Sequence, residues 1–226
     1  MPNTTVQIEE LFEAQAHLGH KTNRIHPRAR KFIYKIENGV SIIDLTQTAN
    51  YLEEAKKFVE KLAKESKTLV VVATKKVAAK EIEGECRKHN IPFITSKWPA
   101  GFLTNFETLL KNVKKLRDMK VAKEAGEWTK LVKHEQSKLN KELSKLERHY
   151  GGLVSLDKIP DALFVVDLKK EKNAVKEAKD INIPLVAITD TNVSPDLVTY
   201  PIPANDDALP SIQYIVRQII SSYTKK

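Results

Sequence analysis

Apolar residues recur along this chain in two rhythms, short unbroken runs and stripes spaced by three and four. Thr68 to Ala73, Pro92 to Thr95, Ala162 to Asp167 and Pro184 to Thr189 read as strands buried on both faces. Helical spacing follows from Val77 to His89 and from Asn173 to Ile181, with a last helix expected from about Asp207 to Tyr223. Such alternation predicts an α/β fold with a mainly parallel sheet covered by helices on both faces.

Ahead of it, Ile8 to Ala16 reads as a short amphipathic helix with Ile8, Leu11 and Phe12 on one face. His17 to Arg30 has no sustained period and reads as loop. Phe32 to Ile36 and Val40 to Leu45 flank Glu37-Asn38-Gly39, a hairpin signal because both central residues must take positive φ. Thr46 is placed to cap a helix running to about Ser66, with Leu52, Ala55, Val59 and Leu62 on its buried face.

Residues 103–150 break the alternation. Phe106, Leu109, Leu110, Val113 and Leu116 step at three and four, and so do Leu131, Val132, Leu139, Leu143, Leu146 and Tyr150, with Gly126 between the two sets. The pattern predicts an antiparallel α-helical coiled-coil hairpin, ended by Gly151-Gly152 and adding little to the sheet's own core. One α/β domain is therefore expected from 1–102 and 151–226, with 103–150 inserted as a docking arm.

Charge narrows the function. The net charge is +9, which favours a polyanionic partner, nucleic acid or an anionic membrane surface. No apolar run approaches the length of a membrane span, and no signal-peptide layout is visible. The single cysteine, Cys86, has neighbours Glu83, Glu85 and Arg87 that give no clear support to a thiolate nucleophile, and its solitude fits a reducing compartment. The charge is also segregated. His17 to Tyr34 holds Lys21, Arg24, Arg28, Arg30 and Lys31 with no acid, and residues 107–149 carry a surplus of five cations. From 150 to 210 the balance reverses to −4.

Where a nucleotide-binding turn would carry glycines, the turn after the first parallel strand is Thr74-Lys75-Lys76. Only glycine lets backbone close on a pyrophosphate, so this turn carries cations in place of a cradle. Lys75, Lys76 and Lys97 at strand ends join the basic loop as candidate phosphate contacts, with Trp98 as a stacking face beside Lys97. His17 and His20, with His26 nearby, lack the further ligands a zinc site needs in this region. Asp167, Asp190, Asp196, Asp206 and Asp207 could hold a divalent ion, but turn and capping roles explain them better.

The blocks Ala16-His17-Leu18-Gly19-His20-Lys21-Thr22, Asn38 to Leu45, Thr74-Lys75-Lys76, Gly101 to Phe106, Pro160 to Asp167 and Asp190 to Asp196 with Tyr200 to Asp207 occur in order. Together they resemble the bacterial and organellar type of small-subunit ribosomal protein two. The resemblance implies a Rossmann- or flavodoxin-like sheet with no cofactor or metal, and a non-catalytic, cytoplasmic role in the small ribosomal subunit. It further implies contacts with ribosomal RNA and neighbouring ribosomal proteins, including ribosomal protein one, without a homo-oligomer and without a membrane. Asn105 joins the candidate RNA contacts on this ground. Lys97-Trp98-Pro99-Ala100-Gly101 departs from the family's usual pattern by losing a glycine and gaining Pro99, which stiffens that bend. Ile25-His26-Pro27 stands where the family often places a tryptophan. The competing readings are a phosphate- or nucleotide-binding α/β enzyme and an adaptor that docks through its helical hairpin.

Overall fold

A computed structural model describes residues 4–225 of the chain. Five parallel strands form the main sheet: β4 (Leu69–Val72), β5 (Phe93–Ile94), β6 (Ala162–Val165), β7 (Leu185–Thr189) and β8 (Tyr200–Pro203). Their spatial order is β5-β4-β6-β7-β8, the flavodoxin-type arrangement with its reversal between β4 and β6. Val71 pairs with Phe93 on one side and Phe164 on the other.

Alternation along each strand assigns the two faces. Val71, Phe164, Val186 and Ile202 pack against α2 (Leu45–Lys64), α3 (Lys76–Lys88) and α7 (Leu209–Thr224). Val70, Val72, Leu163, Val165 and Ala187 face α6 (Lys172–Asp180) and the segment from Trp98 onward. The strands are uninterrupted apolar runs because neither face meets water.

The amino-terminal part adds α1 (Thr4–Glu13) and a three-stranded antiparallel sheet of β1 (Leu18–Lys21), β2 (Ile33–Glu37) and β3 (Val40–Ile43), in the order β1-β3-β2. Asn38 and Gly39 take φ of 49° and 77°, as a two-residue hairpin of primed type demands. β1 lies inside the stretch expected to be loop. Its partner is β3, with Leu18 opposite Ile42 and Lys21 opposite Val40, and Gly19 lets it press against Ser41 and Thr191, where a Cβ would collide. Phe12 is mostly exposed and stacks on His17 at 4.3 Å, so only Leu11 of the expected face is fully buried. The cap of α2 is Asp44, whose carboxylate accepts from the Thr46 N–H at 2.9 Å, while Thr46 itself lies inside the helix.

β8 was hidden by Pro201 and Pro203. A proline cannot complete a ladder on both sides, but β8 is an edge strand bonded to β7 alone, so the missing donors face outward. The start of α7 also differs from expectation. Ala208 is its cap, and Asn205 Oδ1 accepts from the N–H groups of Asp207 and Ala208, while Asp207 points elsewhere.

α4 (Phe106–Glu124) and α5 (Lys133–Tyr150) form the helical hairpin, turning at Gly126 with φ of 72°. Leu116, Trp128 and Leu143 pack between the arms, and ion pairs join Lys115 to Glu142 and Lys120 to Glu147. The expected seam needs two corrections. Leu131 and Val132 are exposed near the tip, and Phe106, Leu109 and Val113 belong to the sheet's own core. The foot of the hairpin is therefore part of the packed layer.

Candidate nucleic-acid interface

In a doubly wound sheet the ligand crevice opens at the carboxyl ends of the strands where the order reverses, here after β4 and β6. That crevice is occupied by the protein itself. The Thr74 hydroxyl donates to the buried Glu171 carboxylate, and Lys170 Nζ reaches the Thr74 carbonyl at 2.6 Å. Lys75 turns inward. Its ammonium lies 2.6 Å from Asp207, 3.1 Å from Asp206 and 3.5 Å from Asp167, and also donates to the Asp206 carbonyl. Burial opposes its charge, but the Asp207 hydrogen bond and the Asp206 and Asp167 charges outweigh burial and raise its pKa. Lys75 is thus a neutraliser of buried carboxylates, which corrects its expected place among the phosphate contacts: its charge is already matched, and only 16% of its side chain is exposed.

Beside it, His20, Asp190 and Asp206 bring one ligand-type atom each within 4.8 Å of one another. These are the residues that could hold a cation, and their atoms bond within the protein. His20 Nδ1 lies 3.1 Å from Asp190, and Nε2 lies 3.5 Å from Asp207 and 2.8 Å from the Asn192 amide. The Asp190 hydrogen bond leads in raising the His20 pKa. Burial, then the charges of Asp190 and Asp167, push the Asp206 carboxyl up to about 7. His17 stacks on Phe12, and His26 accepts from the Arg28 N–H at 3.2 Å, so the three histidines do not converge. The pairing of His20 with Asp190 across 170 positions left no sequence signal. Cys86 is buried in the core and its thiol is raised to about 12, chiefly by burial, so it stays a thiol.

The basic loop lies over the end of β7. It is more ordered than its sequence foretold, forming short 3-10 helices at Thr22–Arg24 and Pro27–Phe32. The His26 N–H donates to the Thr191 carbonyl at 2.8 Å, the His20 N–H donates to the Thr191 hydroxyl at 2.9 Å, and Ser41 donates to the His20 carbonyl. Arg28 pairs with Asp196 at 2.7 Å, and Lys31 lies 3.7 Å from the same carboxylate. Lys21, Arg24 and Arg30 are exposed and, among the described residues, form no ion pair. The loop thus presents a held surplus of positive charge to solvent.

Of the other expected contacts, Lys76, Lys97 and Asn105 are exposed, Asn105 standing at the start of α4. Trp98 requires a correction. Its ring is 5% exposed and packs edge-on to Phe102 at 4.9 Å, so no face is free for a base. Its indole N–H donates to Glu177 at 2.9 Å, and the same carboxylate accepts from the N–H groups of Gly101 and Leu103 at 2.9 and 3.0 Å. Glu177 holds this bend together, yet in sequence it looks like any solvent-facing helix residue. Gly101, at φ of 79°, supplies the left-handed turn beside the stiff Pro99.

The fold and site together define a flavodoxin-type α/β protein whose ligand crevice is filled by its own side chains and flanked by an ordered cationic loop. The particular family follows from comparison with known proteins. The family described as Ribosomal protein S2 matches residues 11–225. The chain is 45% identical over 214 residues to the small ribosomal subunit protein uS2 of Coprothermobacter proteolyticus, covering 95% of this chain and 80% of that protein. It is 42% identical to the protein of the same name from Dictyoglomus thermophilum, covering 95% and 87%. Against that of Oenococcus oeni it is 41% identical, covering 95% and 82%. The chain belongs to the ribosomal protein S2 family, whose members are structural and not enzymatic.

Proposed function

We propose that the chain grips folded ribosomal RNA within the small subunit, with the basic loop 21–31 as its principal hold. Membership of the ribosomal protein S2 family makes it a structural constituent of the small ribosomal subunit, acting in translation beside ribosomal RNA and other subunit proteins, with no catalytic step of its own. The observation that carries the mechanism is the pinned loop, whose arginines and lysines outnumber Asp196, the carboxylate that pairs with them among the described residues. Arginine forks on a loop whose backbone is already pinned suit phosphate recognition, because the fork matches phosphate oxygens and the loop itself has little order left to lose on binding. Nothing in the filled crevice favours a nucleotide-dependent enzyme.

The finer assignments are part of the same proposal. Lys21, Arg24, Arg28, Arg30 and Lys31 neutralise phosphates, with Lys76, Lys97 and Asn105 as outlying contacts. Residues 1–102 with 151–226 act as one α/β domain, and the part of 103–150 beyond Val113 acts as an arm reaching a further RNA or protein surface. The protein works as a single copy in cytoplasmic ribosomes and helps to recruit ribosomal protein one. Among the described residues no helix is long and apolar enough to cross a membrane.

Salt titration tests the grip. Each phosphate neutralised contributes roughly −0.7 to −0.9 to the log–log salt slope, so replacing Arg24, Arg28 and Arg30 together should flatten it by about two to three units. A triple variant with the wild-type slope removes the loop from the interface. Failure of the native protein to sediment with small subunits at low salt defeats the wider reading.

A further inference from the structure

We propose that a second RNA-backbone site lies in the groove between α3, the end of β5 and the foot of α5, where Lys76, Lys80 and Arg148 take phosphodiester groups. This rests on the RNA-binding reading above and adds a separate surface to it. The groove has a volume of about 560 Å³ and borders the β5 side of the main sheet. Lys76 and Lys80 lie one turn apart on the exposed face of α3, and Arg148 enters from the last turn of α5.

The local charges leave a clear remainder. Arg87 pairs with Glu83 at 2.8 Å and Glu147 pairs with Lys120 at 2.8 Å, so those four cancel within the protein. Lys76, Lys80 and Arg148 are exposed and, among the described residues, have no carboxylate partner. Thr95 and Ser96, half-buried at the end of β5, add hydroxyl donors on the groove floor. Three unmatched cations around a polar floor describe a phosphate track.

An edge strand could instead recruit a peptide by strand addition. Here the edge is closed. Gly152 sits so near the Phe93 carbonyl and ring that a Cβ at that position would collide with both. The hairpin foot thus covers the edge of β5, and side-chain cations, not free backbone groups, line the groove. The Phe93 ring is not free to stack on a base, because it lies under the Arg87 guanidinium at 5.3 Å and is itself buried, which leaves the half-buried His149 as the other ring on the groove wall. The three unmatched cations favour backbone phosphates over bases as the occupant. The acidic cluster of Asp167, Asp190, Asp206 and Asp207 lies beyond the carboxyl ends of β6, β7 and β8, outnumbers the Lys75 ammonium set within it, and separates the loop from the groove as landing places for phosphate.

The full-length chain is titrated with a small-subunit ribosomal RNA transcript over a range of salt. Three variants are compared: K76Q/K80Q/R148Q in the groove, R24Q/R28Q/R30Q in the loop, and both together. The groove variant should lower the magnitude of the salt slope by about two to three units, and the combined variant by the sum of the two losses. The charge-preserving K76R/K80R/R148K should keep the wild-type slope, which separates loss of charge from loss of fold. If the groove variant keeps the wild-type slope while the loop variant loses its share, the groove proposal is overturned and the loop reading stands. If both keep the wild-type slope, the RNA reading falls with it. Loss of a crosslink from the groove to a neighbouring protein in purified subunits, with the RNA slope unchanged, also overturns the proposal in favour of a peptide occupant.

Discussion

Replacing Lys75 by methionine distinguishes a lysine that meets RNA from one that holds the fold. Its ammonium lies within 3.5 Å of three carboxylates, of which Asp206 is well buried, Asp167 is partly buried and Asp207 is largely exposed. Removing one partner of a buried pair costs about 3–5 kcal/mol because the charge left behind is uncompensated. The share carried by Asp207 is screened by water. Asp206, already pushed up to about 7, relieves part of the rest by taking a proton. We therefore expect a loss of about 2–4 kcal/mol near pH 8, or roughly 5–15 °C in Tm for a chain of this size.

The pH dependence has a definite sign. Lys75 lowers the Asp206 pKa, so its removal raises that pKa further above the unfolded value of 3.8. The penalty in the variant should grow as pH rises through 7, and at about pH 5.5 the variant should lie much closer to wild type. Thermal melts at the two pH values, at equal ionic strength, read the effect, and the RNA salt slope should stay unchanged. A variant with wild-type Tm near pH 8 and a slope reduced by about one unit would refute the reasoning and return Lys75 to the RNA interface.

Two further outcomes follow from the same geometry. Glu177→Ala leaves three N–H donors of the 98–103 bend without their acceptor and should cost about 2–4 kcal/mol in urea unfolding, with red-shifted Trp98 fluorescence; unchanged stability would mean that packing alone holds the bend. Asp206→Asn should flatten the pH profile of stability. The raised folded pKa means that wild-type stability is fully present below about 4 and declines as pH rises through 7, by up to about 4 kcal/mol from this group, while the raised His20 pKa adds loss in the same direction. A D206N variant that kept the wild-type decline would place the titrating group elsewhere.

Much of the fold was legible because its determinants are local. The apolar runs around Val71, Phe164 and Val186 announced strands shielded on both sides, and Leu52, Ala55, Val59 and Leu62 marked the buried stripe of α2. Asn38-Gly39 carried its own turn geometry. β1 and β8 escaped for opposite reasons. β1 is four residues long and exists only because β3 and Thr191 receive it, while β8 carries prolines that are harmless solely at a sheet edge.

The cations show most clearly where local information ends. Sequence by itself determined that this chain has a parallel α/β sheet, that its first strand-to-helix turn lacks a phosphate cradle, and that its positive charge gathers in a loop. It could not separate Lys75 from Lys76, or Lys97 from Trp98. Tertiary structure turned Lys75 into a carboxylate cluster whose partner Asp206 lies 131 residues further on, and left its neighbour Lys76 in water. It likewise buried Trp98 against a helix 79 residues away while Lys97 stayed exposed. Residue type determines the charge or ring a position carries, but its availability to a partner depends on which distant groups desolvate and satisfy it first.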